Sequence, residues 1–111
     1  MQRIFFCTGS TFYTGDTIAA AVMDYALALG ELRRFDSVDL PVRRLDGTDG
    51  RATLLLGPAS QISTESVDAV GPEVLDEDLV GRLSLATGLL RDPLLVAPVF
   101  AGWDEEPAPS A

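Results

Sequence analysis

Thr8, Gly9, Ser10 and Thr11 follow an apolar run, Arg3-Ile4-Phe5-Phe6-Cys7, and stand shortly before a helix start at Asp16. Small hydroxyl and glycine residues between a strand and a helix can aim backbone N–H groups and hydroxyls at an anion. The chemistry this would support is the holding of a phosphate or carboxylate by the amides of Gly9, Ser10 and Thr11 and the hydroxyls of Thr8, Ser10 and Thr11. Tyr13 is the one plausible acid nearby. Cys7, ahead of the same helix start, has a position where a helix dipole lowers a thiol pKa and makes a nucleophile. A local account competes at each point. Thr, Gly and Ser form turns and caps for their own reasons, and a lone Cys in an apolar strand is commonly a small core residue.

Three other groups carry possible chemistry. Asp76-Glu77-Asp78 with Glu73 could offer oxygen ligands to Mg²⁺ or Ca²⁺. Their spacing lacks the Asp-x-Asp-x-Asp-Gly calcium pattern, and acids at a helix start are expected from the dipole alone. We therefore assign no metal. Arg43, Arg44 and Arg51 flank a turn and could grip a carboxylate or phosphate. Asp46 and Asp49 lie between them and can pair with them instead. Trp103 follows Gly102 beside an acidic run and receives no role.

Composition narrows the chemistry further. The 111 residues include no His, Lys or Asn, and all eight basic residues are Arg. Lys and Asn share AT-rich codons, so this bias points to a GC-rich bacterial genome. Without His there is no Ser-His-Asp or Cys-His catalysis. A single Cys cannot build a zinc site or an internal disulfide. Without Lys there is no Schiff base and no P-loop lysine. The net charge of −9 repels nucleic acid and anionic membranes. No apolar stretch is long enough for a membrane span, and the N-terminus lacks the features of a signal peptide. The expected compartment is the cytoplasm.

The elements that must position these residues follow from periodicity. Residues 2–7 read as a buried strand and residues 16–29 as a helix, with Ile18, Ala19, Val22, Ala26 and Leu29 on one face and Gly30 as its stop. Residues 36–45 alternate as a half-buried strand, which Pro41 places at a sheet edge. Asp46-Gly47-Thr48-Asp49-Gly50 makes a hairpin turn into an apolar strand over 51–56. Residues 59–68 are either an extension of that strand or a loop, and 69–75 a connector. A second helix begins near Asp76, and residues 94–97 form a last strand. The expected domain covers 1–101, with an acidic flexible tail over 102–111. The order strand–helix–strand–strand–helix–strand is the βαββαβ, ferredoxin-like order. It implies an α+β, two-layer α/β sandwich with a four-stranded, mainly antiparallel sheet. Strands 2–7 and 51–56 are its expected central pair.

The opening of the chain also resembles the phosphate-binding loop of flavodoxin-like proteins. Ile4-Phe5-Phe6 matches the strand, Thr8-Gly9-Ser10-Thr11 the loop, and Gly15-Asp16-Thr17 with Ala19-Ala20-Ala21 the helix start. Phe12-Tyr13-Thr14 lengthen the loop beyond that pattern, and 111 residues are few for a five-stranded doubly wound sheet. The resemblance implies a small-anion, nucleotide or flavin-phosphate site on residues 8–16. The composition favours a different expectation: a small, acidic, cytoplasmic bacterial protein, non-catalytic and without a cofactor, acting by self-association or on a protein partner. Leu55 is expected to stand on an uncovered sheet face as part of a homodimer surface. Neither nucleic acid nor a membrane is an expected partner.

Overall fold

The computed structural model describes residues 1–6, 11–59, 61–68 and 71–92, with Phe5 and Phe6 described through their backbone alone. Seven elements follow one another: β1 (Gln2–Phe6), β2 (Thr11–Thr14), α1 (Asp16–Glu31), β3 (Asp36–Arg43), β4 (Asp49–Leu56), β5 (Ile62–Ser66) and α2 (Glu77–Leu90). The strands form one sheet in the order β4-β3-β2-β1-β5, antiparallel at every junction. The α+β class holds. The four-stranded βαββαβ ferredoxin-like arrangement does not.

Two strands account for the difference. Thr11-Phe12-Tyr13-Thr14 reads as loop because small turn residues precede it, yet it pairs with β1 from Gln2↔Thr14 to Phe5↔Thr11. All four residues are β-branched or aromatic and suit a pleated surface. Phe12 and Thr14 are buried while Thr11 and Tyr13 face outward. Four residues are simply too few for alternation to declare itself. Ile62-Ser63-Thr64-Glu65-Ser66 pairs with β1 on its other side. Only Ile62 of that strand is even half-buried among its two ends, and the run from Ser63 to Ser66 is exposed. Hydrophobic periodicity cannot register a strand held by its backbone ladder.

The expected central pair is also corrected. β1 is interior, but β4 lies at the sheet edge, separated from β1 by β3 and β2. Alternation along its Leu54-Leu55-Leu56 run holds: Leu54 and Leu56 are buried and Leu55 is 69% exposed. Pro41 does not put β3 at an edge, since β3 lies between β4 and β2. The one β2–β3 register pair is Tyr13↔Arg43, so β2 ends before it reaches Pro41. The strand expected over 94–97, the tail over 102–111, Trp103 and Cys7 lie outside the described residues.

The helices cover one face of the sheet. Ile18, Val22, Tyr25 and Leu29 of α1 join Ile4, Phe12, Val38, Leu40, Val42, Leu54 and Leu56 in a single core. α1 runs through Gly30 to Glu31 rather than stopping there. It closes where Arg34 N–H reaches the Leu29 carbonyl at 2.9 Å and Arg33 N–H the Gly30 carbonyl at 3.2 Å. This is the paired-bond end in which one residue turns left-handed; Arg33, at φ 55°, takes the place glycine usually has. α2 starts as its acidic first turn predicts, and Asp76 caps it by accepting from Leu79 N–H at 3.1 Å. Gly15 packs on the Val74 carbonyl at the start of both helices, and Arg91 Nε, just after α2, lies 3.6 Å from Oε1 of Glu31, the last residue of α1. The two helices therefore run side by side in the same direction. The hairpin between β3 and β4 turns at Asp46 and Gly47, with Asp46 Oδ1 accepting from Thr48 N–H at 2.9 Å and Gly47 at φ 90°.

Candidate functional site

Of the residues read as an anion loop, Thr8, Gly9 and Ser10 lie outside the described residues, and Thr11 and Tyr13 sit in β2. β2 lies between residue 10 and the start of α1 and spans about 13 Å of extended chain. The start of α1 therefore follows directly on β2. At the α1 end, the Asp16 N–H donates to Glu73 Oε2 at 2.7 Å. The Met1 ammonium lies 2.9 Å from Asp16 Oδ1 and 3.3 Å from Glu73 Oε1. Hydrogen bonding to Asp16 raises the ammonium pKa above its usual value and lowers that of Asp16 in turn. The positive end of the α1 dipole is thus answered by the chain's own carboxylates.

Tyr13 belongs instead to a row across the face of the sheet turned away from the helices. Register places Glu65 of β5 opposite Arg3 of β1, Arg3 opposite Tyr13, Tyr13 opposite Arg43 of β3, and Arg43 opposite Asp49 of β4. One residue from each strand stands at the same level, and residues so paired share a face. The Arg3 guanidinium lies 5.2 Å from the Tyr13 ring centroid, and its Nη2 donates to the Tyr13 hydroxyl at 3.1 Å. Its Nη1 is 3.3 Å from Glu65 Oε1. Arg43 Nε donates to Asp49 Oδ1 at 2.9 Å, and its Nη1 to the Pro72 carbonyl at 2.6 Å. Arg43 is only 8% exposed and ties the connector before α2 to the sheet. The pairing of Arg43 with Asp49 matches the sequence expectation for this hairpin. Arg3 and Glu65 carry no sequence signal, because only strand register brings them together.

A second feature is a cleft of about 400 Å³ between β3 and the helices, lined by residues 36–39 and Arg51 on the sheet side. Tyr25 of α1 and Leu79, Arg82, Leu83 and Ala86 of α2 form the opposite wall. The Tyr25 hydroxyl donates a hydrogen bond to Asp36 Oδ2. Burial, and then the Asp36 hydrogen bond and charge, push the Tyr25 pKa up to about 12. Arg51 Nε is 3.2 Å from Asp39 Oδ1. Sequence periodicity places Tyr25 only at the border of a helix face and does not mark Asp36 at all. Among the described residues no group of three His, Cys, Asp or Glu side chains is placed to hold a metal ion.

The Tyr25–Asp36 pair makes stability depend on alkaline pH. A phenol held neutral in the fold and free to ionise near pH 10 when unfolded keeps its full contribution below pH 10. That contribution falls as pH rises from 10 to 12, since the folded state then holds the extra proton. The expected loss is about 3 kcal/mol at most. Urea titrations across this range should show it in the parent and not in Tyr25→Phe. Ultraviolet titration of the two tyrosines should lose its highest step in the same variant. An unchanged high-pH slope in Tyr25→Phe would contradict the assignment.

Among the described residues, no helix is long and apolar enough to cross a membrane. No family model matches the chain, and no curated protein or solved structure does so either.

Proposed function

We propose that the protein is a non-catalytic, self-associating interaction module whose contact surface is the sheet face turned away from α1 and α2. The observation that carries this is the five-strand row centred on Arg3 and Tyr13, standing on a face that neither helix covers. Arg and Tyr are the residue types that concentrate binding energy at protein interfaces. Glu65 and the Tyr13 hydroxyl hold Arg3 in place before any partner arrives, which lowers the ordering cost of binding. Ser37, Asp39, Arg51, Thr53 and Leu55 continue the face as an exposed wing, with Leu55 as its apolar point.

Catalysis is the weaker reading on chemical grounds. Both tyrosine hydroxyls are engaged, Tyr13 by Arg3 and Tyr25 by Asp36. The chain has no His or Lys to act as a base. We assign the bacterial cytoplasm as the setting, on the Arg-only basic composition and the single Cys.

A two-fold dimer is the simplest closed form for such a face. Gel filtration with light scattering at tens of micromolar should give twice the monomer mass of 11.8 kDa. Tyr13→Ala and Leu55→Asp should each shift it to monomer, with Tyr13→Ala weakening association by about thirtyfold. A monomer at every concentration would overturn self-association. A dimer indifferent to both substitutions would overturn the choice of face.

A further inference from the structure

Three parts of the chain meet at Met1. β1 starts from it at Gln2 and lies inside the sheet. α1 begins at Asp16, and the connector before α2 carries Glu73. The Met1 side chain belongs to the core, the residue is 6% exposed, and its carbonyl accepts from Val67 N–H at 3.1 Å. Packing therefore fixes the ammonium in place. Pairing with it carries no cost of ordering a long cationic side chain, the cost that makes most surface ion pairs weak.

Glu73 has two partners at once. Its Oε1 lies 3.3 Å from the ammonium, and its Oε2 accepts from Asp16 N–H at 2.7 Å. Asp16 Oδ1 is 2.9 Å from the same ammonium. Two carboxylates from distant parts of the chain thus share one cation. Residues 71–76 form neither helix nor strand, so tertiary contacts must place them. The Pro72 carbonyl accepts from Arg43 Nη1, and buried Val74 lies against Gly15. Between those two seats, the Met1 ammonium is the charge that allows Glu73 to stand beside Asp16.

An acyl group on the Met1 nitrogen removes that charge. An amide nitrogen in the chain has one N–H and is neutral. It cannot serve two carboxylates. Asp16 and Glu73 would face each other as like charges without a shared cation.

We propose that Met1 is a processing site of this domain: its α-amino group has to be free, released from a formyl or other acyl cap or from any residue joined ahead of it, for the connector to seat on the start of α1. The release is an amide hydrolysis. Water splits the C–N bond, the acyl group leaves as a carboxylate, and the amine takes up a proton to become the ammonium that Asp16 and Glu73 hold. The inference is independent of the Tyr13 row and needs no second copy of the chain.

The test compares the full chain with a free Met1 amine, checked by intact mass, and the same chain acetylated at that nitrogen. Acetylation should lower the thermal midpoint by about 5–10 °C. It should also shift the amide resonances of Asp16, Glu73 and Val74. The same pair is then made with Asp16→Asn and Glu73→Gln together, which keeps both side chains polar and removes both charges. There acetylation should move the midpoint by less than about 2 °C, because no carboxylate is left to lose its cation. A parent chain carrying a cleavable peptide ahead of Met1 should melt low and recover the free-amine midpoint once a protease removes the peptide. All chains are compared at one protein concentration, since association itself shifts the midpoint. Equal midpoints for the free and acetylated parent overturn the proposal. An equal loss in the charge-free background does so too, as it would mark crowding in place of a shared cation, and so does a midpoint that fails to recover on cleavage.

Discussion

Gly15→Ala is expected to destabilise the domain by about 3 kcal/mol, measured by urea unfolding. Gly15 has an ordinary φ of −68°, so backbone conformation is not the reason. Space is the reason. A Cβ built on Gly15 would overlap the Val74 carbonyl oxygen and lie 3.0 Å from its carbon. Both atoms are backbone and cannot rotate away. Relief requires moving the connector that carries Glu73 and Val74. That movement unseats buried Val74 and breaks the Glu73 contacts to the Asp16 N–H and the Met1 ammonium. Overpacking a close contact costs about 1–3 kcal/mol, and lost polar contacts add to it. Gly57→Ala is the control. Its added Cβ meets the ring of Phe35, a side chain 63% exposed that can swing outward. Its cost should stay below about 1 kcal/mol. Equal stability of Gly15→Ala and the parent would show that the connector does not seat on the start of α1.

Leu40→Ala is expected to cost about 3–4 kcal/mol. Leu40 is fully buried near the middle of β3, within the one core shared by the sheet and α1. A domain of this size has a margin of about 5–10 kcal/mol, so most of it would go. Leu55→Ala on the neighbouring strand should change stability by no more than about 0.5 kcal/mol. The contrast tests register directly. A slip of one residue would exchange the two faces of the hairpin and bury Leu55 in place of Leu54 and Leu56. Comparable losses from Leu40→Ala and Leu55→Ala would mean that the faces are assigned wrongly.

Both substitutions act through features of different legibility. Leu40 alternates with polar neighbours in a strand of eight residues, and its burial follows from the period alone. The same holds for the Ile18, Val22 and Leu29 stripe of α1 and for the Asp46-Gly47 turn. The acidic start of α2 was equally readable, and Asp76 serves there as a cap. Gly15 carried no such signal, since its importance comes from Val74, nearly sixty residues along the chain. Tyr13 stood out in the sequence as a lone acid. Its neighbour Arg3 gives it another character, a hydroxyl accepting from a guanidinium that also stands over its ring.

Local chemistry therefore determined which stretches became β1, α1, the β3–β4 hairpin and α2, because each contains its own hydrophobic period, cap or turn. It also excluded histidine and lysine chemistry and an internal disulfide. Tertiary structure alone decided that β2 and β5 exist, that β4 lies outermost, and that Glu65, Arg3, Tyr13, Arg43 and Asp49 align. The physical reason is that a short or polar strand is held by backbone bonds to a distant neighbour, and those bonds leave no imprint on side-chain pattern. The cleft beside β3 has the same origin: it opens where β2 stops, a boundary set by pairing between strands.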